Sequence, residues 1–186
     1  MTVRSSNPGE RETRYRLDIF APNVLDAVKS AGGWLFDCAM AGWDVTVMVH
    51  DHGDPRPLQI LGADVVDLGP AMSSWEQRLH PQSMAVAADL FDRDARVKQT
   101  VLHALEHGMT DVTLWGERWP AGLGGSVDEM RHELSSAASA FKSQALAAAK
   151  NPEAQSVGEI ETFRRVTVAC PAPLLPWQRR PRHRTA

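Results

Sequence analysis

Near the start of the chain, three consecutive segments have the pattern of a β-strand, an α-helix and a second β-strand. Residues 15–20 are predicted to form a buried strand, and residues 23–41 carry apolar side chains at three- and four-residue spacing. Gly42 is well placed to end the helix, and residues 44–49 form a β-branched run typical of a buried parallel strand. Two parallel strands need a crossover between them, usually a helix. The sequence therefore predicts an α/β fold with a mostly parallel sheet flanked by helices.

The alternation of strands and helices continues as far as residue 115. The patterns predict a helical turn at 57–61, a strand at 63–68, a helix at 94–107 and a strand at 111–115. Residues 84–88 fit either a strand or the start of a helix, and their periodicity does not decide between the two.

The last part of the predicted domain consists of one long helix and one strand. Ser126 and Glu129 have the spacing of a capping box, which predicts a helix from there to about residue 150. Its apolar stripe would either pack on the protein's own sheet or bind a partner protein. Alternating apolar and polar residues at 165–170 predict a final strand. The stripe residues that we assign to partner binding are Met130, Leu134 and Phe141.

The length and composition are those of a single domain with two polar ends. Of the 186 residues 43% are hydrophobic, enough for one core, which we place at 15–170. Residues 1–14 are predicted to be a disordered leader, since they are charged and lack the apolar segment of a secretory signal. No apolar run approaches the roughly 18 residues that a membrane-spanning helix needs. The two cysteines indicate neither a disulfide framework nor a zinc cluster, so we expect a cytoplasmic protein without membrane contact.

The C-terminal segment 171–186 is rich in proline and arginine. It holds four arginines and no acid, so the formal charge of −3 divides into +4 for the tail and −7 for the remainder. The acidic remainder is unlike a basic-faced nucleic-acid-binding domain, but the tail is suited to nucleic acid or an acidic partner. A solubilising role fits the tail equally well. The tail residues that we assign to partner binding are Trp177, Arg179, Arg180, Arg182 and Arg184.

The turn after the first predicted strand lacks the residues that bind nucleotide phosphates in many α/β proteins. A phosphate-binding loop has two glycines, followed by a lysine and a hydroxyl residue. The corresponding positions here hold Ala21, Asp26, Ala27 and Val28. Because a carboxylate at this helix start repels a triphosphate, we expect no nucleotide hydrolysis and assign no catalytic residue, metal or cofactor.

A polar cluster directly after the second predicted strand is a candidate small-molecule site. His50, Asp51, His52 and Asp54 lie at the carboxyl end of that strand, where open α/β sheets bind ligands. Two imidazoles and two carboxylates are also able to bind a divalent metal, although no distant Cys or His group completes such a site. The alternative is a polar loop that caps the strand.

Several segments occur at the spacing found in the ATPase core of RecA-type recombinases, which the chain resembles. Residues 19–22 resemble the strand and turn before that family's phosphate loop, and residues 41–42 fall where its first helix ends in Ala-Gly. Residues 51–52 match the positions of its catalytic glutamate and the following histidine. Residues 110–115 resemble the strand before its magnesium-binding aspartate, where this chain has Gly116. The resemblance implies a RecA-like or Rossmann-like three-layer fold without phosphate or magnesium ligands.

The resemblance also implies a function, by analogy with small relatives that lack the phosphate loop. These include SulA-type division inhibitors and recombinase-like accessory proteins of mutagenesis, which act by binding proteins. The first hypothesis is therefore a non-catalytic, pseudo-ATPase adaptor in DNA repair and the DNA-damage (SOS) response. Its partner would be a polymerase-associated or division protein. The alternative is a Rossmann-like enzyme that binds a nucleotide or nucleotide-sugar at the carboxyl edge of the sheet, through the polar cluster.

Overall fold

Seven strands and six helices make up the part of the chain that the computed structural model describes, which is residues 14–51, 53–120, 123, 126–150 and 157–167. The strands are β1 (Arg16–Asn23), β2 (Asp44–Asp51), β3 (Asp64–Asp67), β4 (Ser83–Ala87), β5 (Asp111–Trp115), β6 (Ser126–Glu133) and β7 (Ile160–Thr167). The helices are α1 (Val24–Met40), α2 (Arg56–Ile60), α3 (Leu68–Ser73), α4 (Ala88–Arg93), α5 (Ala95–His107) and α6 (Ser136–Ala148), with a 3₁₀ turn at Trp75–Gln77. No helix in these ranges combines the length and apolar character needed to cross a membrane.

All seven strands form one sheet in the order β3-β2-β1-β4-β5-β7-β6. The first five strands are parallel, whereas β7 is antiparallel to both β5 and β6. From β1 the chain moves outward through β2 to β3, and it then returns to place β4 on the other side of β1. Because such crossovers are right-handed, the helices before and after this reversal lie on opposite faces of the sheet. The predicted α/β fold, with a mostly parallel sheet flanked by helices, is confirmed.

Capping residues explain where the helices α1 and α5 begin and where α5 ends. α1 begins after Asn23, whose side-chain oxygen accepts a hydrogen bond of 2.9 Å from the backbone N–H of Asp26. Asp94 caps α5 in the same way, through the backbone N–H of Arg96 at 2.9 Å. Gly108 ends α5 in the left-handed conformation, with φ at 63°. These caps satisfy backbone groups that a helix end leaves unpaired. The helices predicted at 23–41 and 94–107 are therefore confirmed.

The hydrophobic core lies between the central strands and the helices. β4 is buried along all five residues, and β1 is buried over five consecutive residues. Parallel strands covered on both faces lack the alternation of apolar and polar residues that marks a half-buried strand, which is why periodicity did not decide between strand and helix at residues 84–88. The helix α1 packs on the sheet through a buried face that includes Ala27, Val28, Ala31 and Leu35.

The prediction of one long helix at 126–150 is wrong in its first third, where residues 126–133 form β6. This strand is paired along its whole length with β7, and all but two of its residues are exposed. An exposed edge strand lacks the apolar alternation that identifies strands, so the capping-box spacing favoured a helix. The helix α6 begins instead after Ser135, whose hydroxyl oxygen accepts a hydrogen bond of 3.0 Å from the N–H of Ala138.

Two further segments are settled by the strand pairing. Residues 165–167 of the final strand predicted at 165–170 belong to β7, which covers Ile160–Thr167 and pairs with both β5 and β6. Residues 168–170 lie outside the described ranges. Residues 84–88, which fitted a strand or a helix, fall mainly in β4 between β1 and β5. The short helices α3 and α4 have no counterpart in the sequence prediction.

A close contact between α1 and the segment before α6 depends on a glycine. A Cβ atom added to Gly33 would lie 2.3 Å from Cγ of Leu134, well inside van der Waals contact. Leu134 is half-buried against the core, and its backbone N–H donates a 2.9 Å hydrogen bond to the carbonyl of Glu159. Since this bond fixes Leu134, only a glycine lets α1 approach it so closely.

We predict that Gly33→Ala destabilises the protein by about 1–3 kcal/mol, the usual cost of overpacking a filled core. Gly158→Ala is the matched control, because an added Cβ there meets its nearest atom at an ordinary 3.8 Å. Urea unfolding followed by circular dichroism gives the free energy of unfolding of both variants. Equal stability of the two would contradict the contact between Gly33 and Leu134.

One carboxyl group is buried in the middle of β1 without a hydrogen bond. The side chain of Asp18 is 1% exposed, and neither oxygen has a hydrogen-bond partner in the described ranges. The guanidinium of Arg78 lies 3.6 Å from Oδ1, too far for a hydrogen bond. Burial raises the pKa of Asp18 from 3.8 to about 6, although the positive charges of Arg78 and Arg16 act in the opposite direction.

We expect the stability that Asp18 contributes to fall as the pH rises from 3.8 through about 6. Between 3.8 and about 6 the folded state binds more protons than the unfolded state, so deprotonation costs stability. At 1.36 kcal/mol per pH unit, this interval corresponds to about 3 kcal/mol. Asp18→Asn cannot ionise and should lack this slope in urea unfolding at several pH values. The exposed Asp64→Asn should keep it, and parallel curves for wild type and Asp18→Asn would contradict the assignment.

Candidate active site

A large open cavity lies at the carboxyl edge of the sheet, beside the point where the strand order reverses. Its volume is about 900 Å³, and its walls come from the first turns of α1, the segments after β4 and β5, α6 and the start of β7. In open α/β sheets this reversal leaves a crevice, since the neighbouring connections turn to opposite faces there. The charged side chains that line the cavity are Asp26, Lys29, Asp89, Asp92, Arg93, Glu117, Arg118, Lys142 and Glu161.

Asp26 lies in the first turn of α1 and carries a perturbed carboxyl group. Its Oδ2 accepts a hydrogen bond of 3.0 Å from the indole N–H of Trp115, at the end of β5. Burial raises the pKa of Asp26 above its ordinary value, and the negative charge of Asp89 adds to this effect. The hydrogen bond from Trp115 and the positive charge of Lys29 act in the opposite direction. A carboxyl group of raised pKa in a cleft is a candidate for general acid–base catalysis.

A buried ion pair forms the wall of the cavity on the side of α6 and β7. Lys142 Nζ donates a hydrogen bond of 2.6 Å to Glu161 Oε1, and the two side chains are only 7% and 3% exposed. Lys142 also donates to the backbone carbonyl of Lys29 at 2.7 Å. The Glu161 oxygens accept hydrogen bonds from the backbone N–H groups of Gly33 at 2.8 Å and Trp34 at 2.9 Å. In a regular α-helix the N–H of Gly33 donates a hydrogen bond to the carbonyl of Lys29. Here the ion pair bonds to both of these groups, so it is attached to the backbone of α1.

The remaining charged groups of the cavity carry both signs. Arg93 lies 3.3 Å from Asp89 in an exposed ion pair within α4. Glu117 and Arg118 follow β5, and Lys29 comes from the second turn of α1. A lining of this composition suits a polar substrate that has hydrogen-bonding groups of its own.

The predicted polar cluster after β2 lies apart from this cavity. His50 and Asp51 end β2 with exposed side chains, and His52 lies outside the described residues. Asp54 accepts a hydrogen bond of 3.0 Å from the N–H of Arg56 at the start of α2. Across the described ranges, no group of three or more His, Cys, Asp or Glu side chains is arranged to hold a metal ion. The ligand-binding role of the cluster stays a prediction.

The residues assigned to partner binding do not share one helix. Met130 belongs to β6, Leu134 packs on Gly33, and Phe141 alone of the three lies on α6. Phe141 is 44% exposed, and its ring stacks on Phe36 with a centroid distance of 4.6 Å. The continuous apolar stripe is therefore wrong, whereas partner binding by its members stays a prediction. The same holds for the tail residues outside the described ranges, which are Trp177, Arg179, Arg180, Arg182 and Arg184.

Sequence reasoning does not bring Asp26 and Asp89 into one site. It identifies Asp26 only as an obstacle to nucleotide binding, because this carboxylate occupies a glycine position of the phosphate loop. The available signal is its place in the first turn of the helix that follows β1, where doubly wound sheets bind ligands. Asp89 and Trp115 join it only once β4 and β5 are placed beside β1.

The fold is similar to those of several solved enzymes. The A40926 pseudoaglycone deacetylase Dbv21 matches 84% of this chain and 98% of its own, with a TM-score of 0.57 and 17% identity. The zinc-inhibited form of teicoplanin deacetylase Orf2 matches 84% and 100%, with a TM-score of 0.59 and 16% identity. GalB, the 4-carboxy-2-hydroxymuconate hydratase from Pseudomonas putida KT2440, matches 87% and 100%, with a TM-score of 0.55 and 12% identity. The sequence matches no protein-family model and no curated protein.

These comparisons contradict the resemblance to RecA-type recombinases. The structures named above cover most of both chains, and they are deacetylases and a hydratase. An Ala-Gly helix end and a β-branched run, which suggested a recombinase, are equally compatible with other folds in which a helix connects two parallel strands. The pseudo-ATPase adaptor of DNA repair and the DNA-damage (SOS) response is therefore wrong. A Rossmann-like enzyme for nucleotides or nucleotide-sugars is not supported either.

Two substitutions should shift the pKa of Asp26 in opposite directions. Trp115→Phe removes a hydrogen bond that favours the charged carboxylate, so the pKa should rise. Asp89→Asn removes a nearby negative charge, so the pKa should fall. An NMR titration of the Asp26 carboxyl carbon measures both shifts without a substrate, and the distant Asp64→Asn serves as the unshifted control. Shifts of the same sign would contradict this description of the site.

Proposed function

We propose that this protein is a hydrolytic enzyme that removes an acetyl group from a polar small molecule bound in the cavity. The observation that carries the proposal is Asp26, a carboxyl group of raised pKa held by Trp115 at the carboxyl edge of the sheet. Such a group is able to take a proton from water and to return it to a leaving group. A cavity of about 900 Å³ has room for a drug-sized substrate together with that water.

The named activities of the similar structures support this class of reaction. Dbv21 is a deacetylase of the A40926 pseudoaglycone, Orf2 is a teicoplanin deacetylase, and GalB is a hydratase. Deacetylation and hydration both add water to an unsaturated carbon, and both need a group that moves a proton. A shared fold does not fix the chemistry, so the proposal depends equally on Asp26 and on the polar lining of the cavity.

In the proposed reaction Asp26 acts first as a base and then as an acid. Its carboxylate takes one proton from a water molecule, whose oxygen forms a bond to the acetyl carbonyl carbon. The carbonyl oxygen becomes negatively charged, and the cationic side chains of Lys29 and Arg118 are suited to stabilise it. Asp26 then returns the proton to the leaving nitrogen, the carbonyl double bond re-forms as the carbon–nitrogen bond breaks, and acetic acid and the free amine are released. The acetic acid then loses its proton to the solvent.

The proposed mechanism contains no metal ion. One similar structure is a zinc-inhibited form, and structural or catalytic zinc sites use three or four protein ligands. The five described cavity carboxylates are not arranged as such a group; they are Asp26, Asp89, Asp92, Glu117 and Glu161. Because this donor set does not fit a metal, every step above uses side chains alone.

We also propose a cytoplasmic location. The chain has only two cysteines, and the one in the described ranges, Cys38, is a free thiol in the core. Free buried cysteines without a disulfide framework are typical of reducing compartments. Cell fractionation with an antibody against the native protein tests this location.

Asp26→Asn should lower kcat by about 100-fold or more, the usual loss when an acid–base group is removed. The amide has nearly the shape of the carboxyl group, so the circular-dichroism melting curve should change little. The assay uses N-acetylated amino sugars and N-acetylated amino acids as polar probes, and it detects the released amine with fluorescamine. Asp64→Asn, an equal change of charge at the exposed start of β3, should keep the wild-type rate.

The pH dependence of the reaction rate is a second test of the role of Asp26. Only the deprotonated carboxylate accepts a proton, so the wild-type rate should increase as the pH rises through the raised pKa of Asp26. If Asp26→Asn turns over substrate at the wild-type rate, Asp26 does not act as the acid–base group. Calorimetric binding of a probe without turnover by the wild type would indicate a binding protein and overturn the enzymatic proposal.

A further inference from the structure

The two edges of the sheet differ in length. β3 has only four residues, whereas β6, at the opposite edge, has eight. A long exposed edge strand presents unpaired backbone groups and readily pairs with another chain. β6 is paired with β7 on one side, and six of its eight residues are exposed. Its outer side is therefore a candidate interface.

The outward backbone groups of β6 belong to alternate residues. The N–H of Leu134 donates a hydrogen bond of 2.9 Å to the carbonyl of Glu159, in register with the ladder between β6 and β7. Along an antiparallel strand, groups that point toward one neighbour alternate with groups that point away from it. The residues whose N–H and C=O groups point away from β7 are therefore Val127, Glu129, Arg131 and Glu133.

We propose that β6 pairs with β6 of a second copy of this chain, antiparallel and centred on Met130. A two-fold axis perpendicular to the sheet keeps each side chain on its own face of the sheet. Because successive side chains alternate between the faces, two residues that lie opposite each other are either both even-numbered or both odd-numbered. With Met130 opposite Met130, Glu129 lies opposite Arg131 of the second copy, and the symmetry repeats this contact. Opposite charges that face each other across paired strands are favourable.

The charge pattern selects this register over the adjacent ones. Centring the pair on Glu129 would place two glutamates opposite each other, and centring it on Arg131 would do the same with two arginines. Within the described ranges neither side chain forms a salt bridge. His132 is already bound to Asp37, at 2.9 Å, and is not required for the contact.

A second copy is the partner that this pattern fits, because the sequence Glu129-Met130-Arg131 is complementary to itself in antiparallel pairing. A different protein would need a matching strand, whereas the same strand supplies both charges. The proposal is independent of the deacetylase assignment, since it depends only on the edge of the sheet.

Sedimentation velocity over a concentration series tests the pairing. The range should run from about 1 µM to 1 mM, because one pair of strands buries less area than a standard interface. Glu129→Arg and Arg131→Glu each place like charges opposite each other twice, so each should weaken dimerisation about tenfold or more. The double variant Glu129→Arg/Arg131→Glu restores opposite charges and should restore the dimer. The exposed Glu106→Arg on α5 is the charge-matched control and should dimerise as the wild type does.

Amide hydrogen exchange identifies the paired residues. On dimerisation, exchange of the outward amides of Glu129 and Arg131 should slow, whereas the Met130 amide already bonds to β7 and should change little. A protein that stays monomeric over the whole concentration range would overturn the proposal. A dimer that the single charge reversals leave unchanged, or one without this alternation in exchange, would overturn it as well.

Discussion

The buried ion pair between Lys142 and Glu161 is the interaction on which the arrangement of the other elements around the site depends. Burying two opposite charges is costly unless their remaining hydrogen-bonding groups are also satisfied. Here the backbone of α1 supplies those partners, through the carbonyl of Lys29 and the N–H groups of Gly33 and Trp34. One interaction thereby joins α1, near the start of the described residues, to α6 and β7, which are consecutive elements near their end.

The same interaction determines the geometry of the cavity. Asp26 precedes Lys29 by less than one helical turn, so a restraint on α1 at Lys29 also restrains the carboxyl group. The second restraint is the hydrogen bond of 3.0 Å from Trp115, which comes from β5. A carboxyl group held from two directions has a defined position before any substrate binds, and preorganisation of this kind is what acid–base catalysis requires.

The sequence predicts those parts of the fold whose stability comes from burying apolar side chains. Strands β1, β2 and β5 and helices α1 and α5 have the apolar runs, spacings and caps that such burial requires. β6 is different, because backbone pairing with β7 stabilises it while its side chains face solvent, so its residues have no strand pattern. The cavity is not predicted because its acids Asp26 and Asp89 become neighbours only through the strand order, which no local pattern specifies.

The position at which the sequence predicts no phosphate binding is also the one at which we propose the hydrolytic chemistry. At a helix N-terminus the dipole favours a negative charge by about 0.3–1 kcal/mol, which would lower the pKa of a carboxyl group. For Asp26, burial and the charge of Asp89 outweigh the opposing interactions, and the pKa is raised. A carboxylate that repels phosphate but binds a proton more tightly than usual suits a neutral acetamide and a water molecule. The proposed proton transfer thus depends on the same residue, Asp26, that occupies a glycine position of the phosphate-binding pattern.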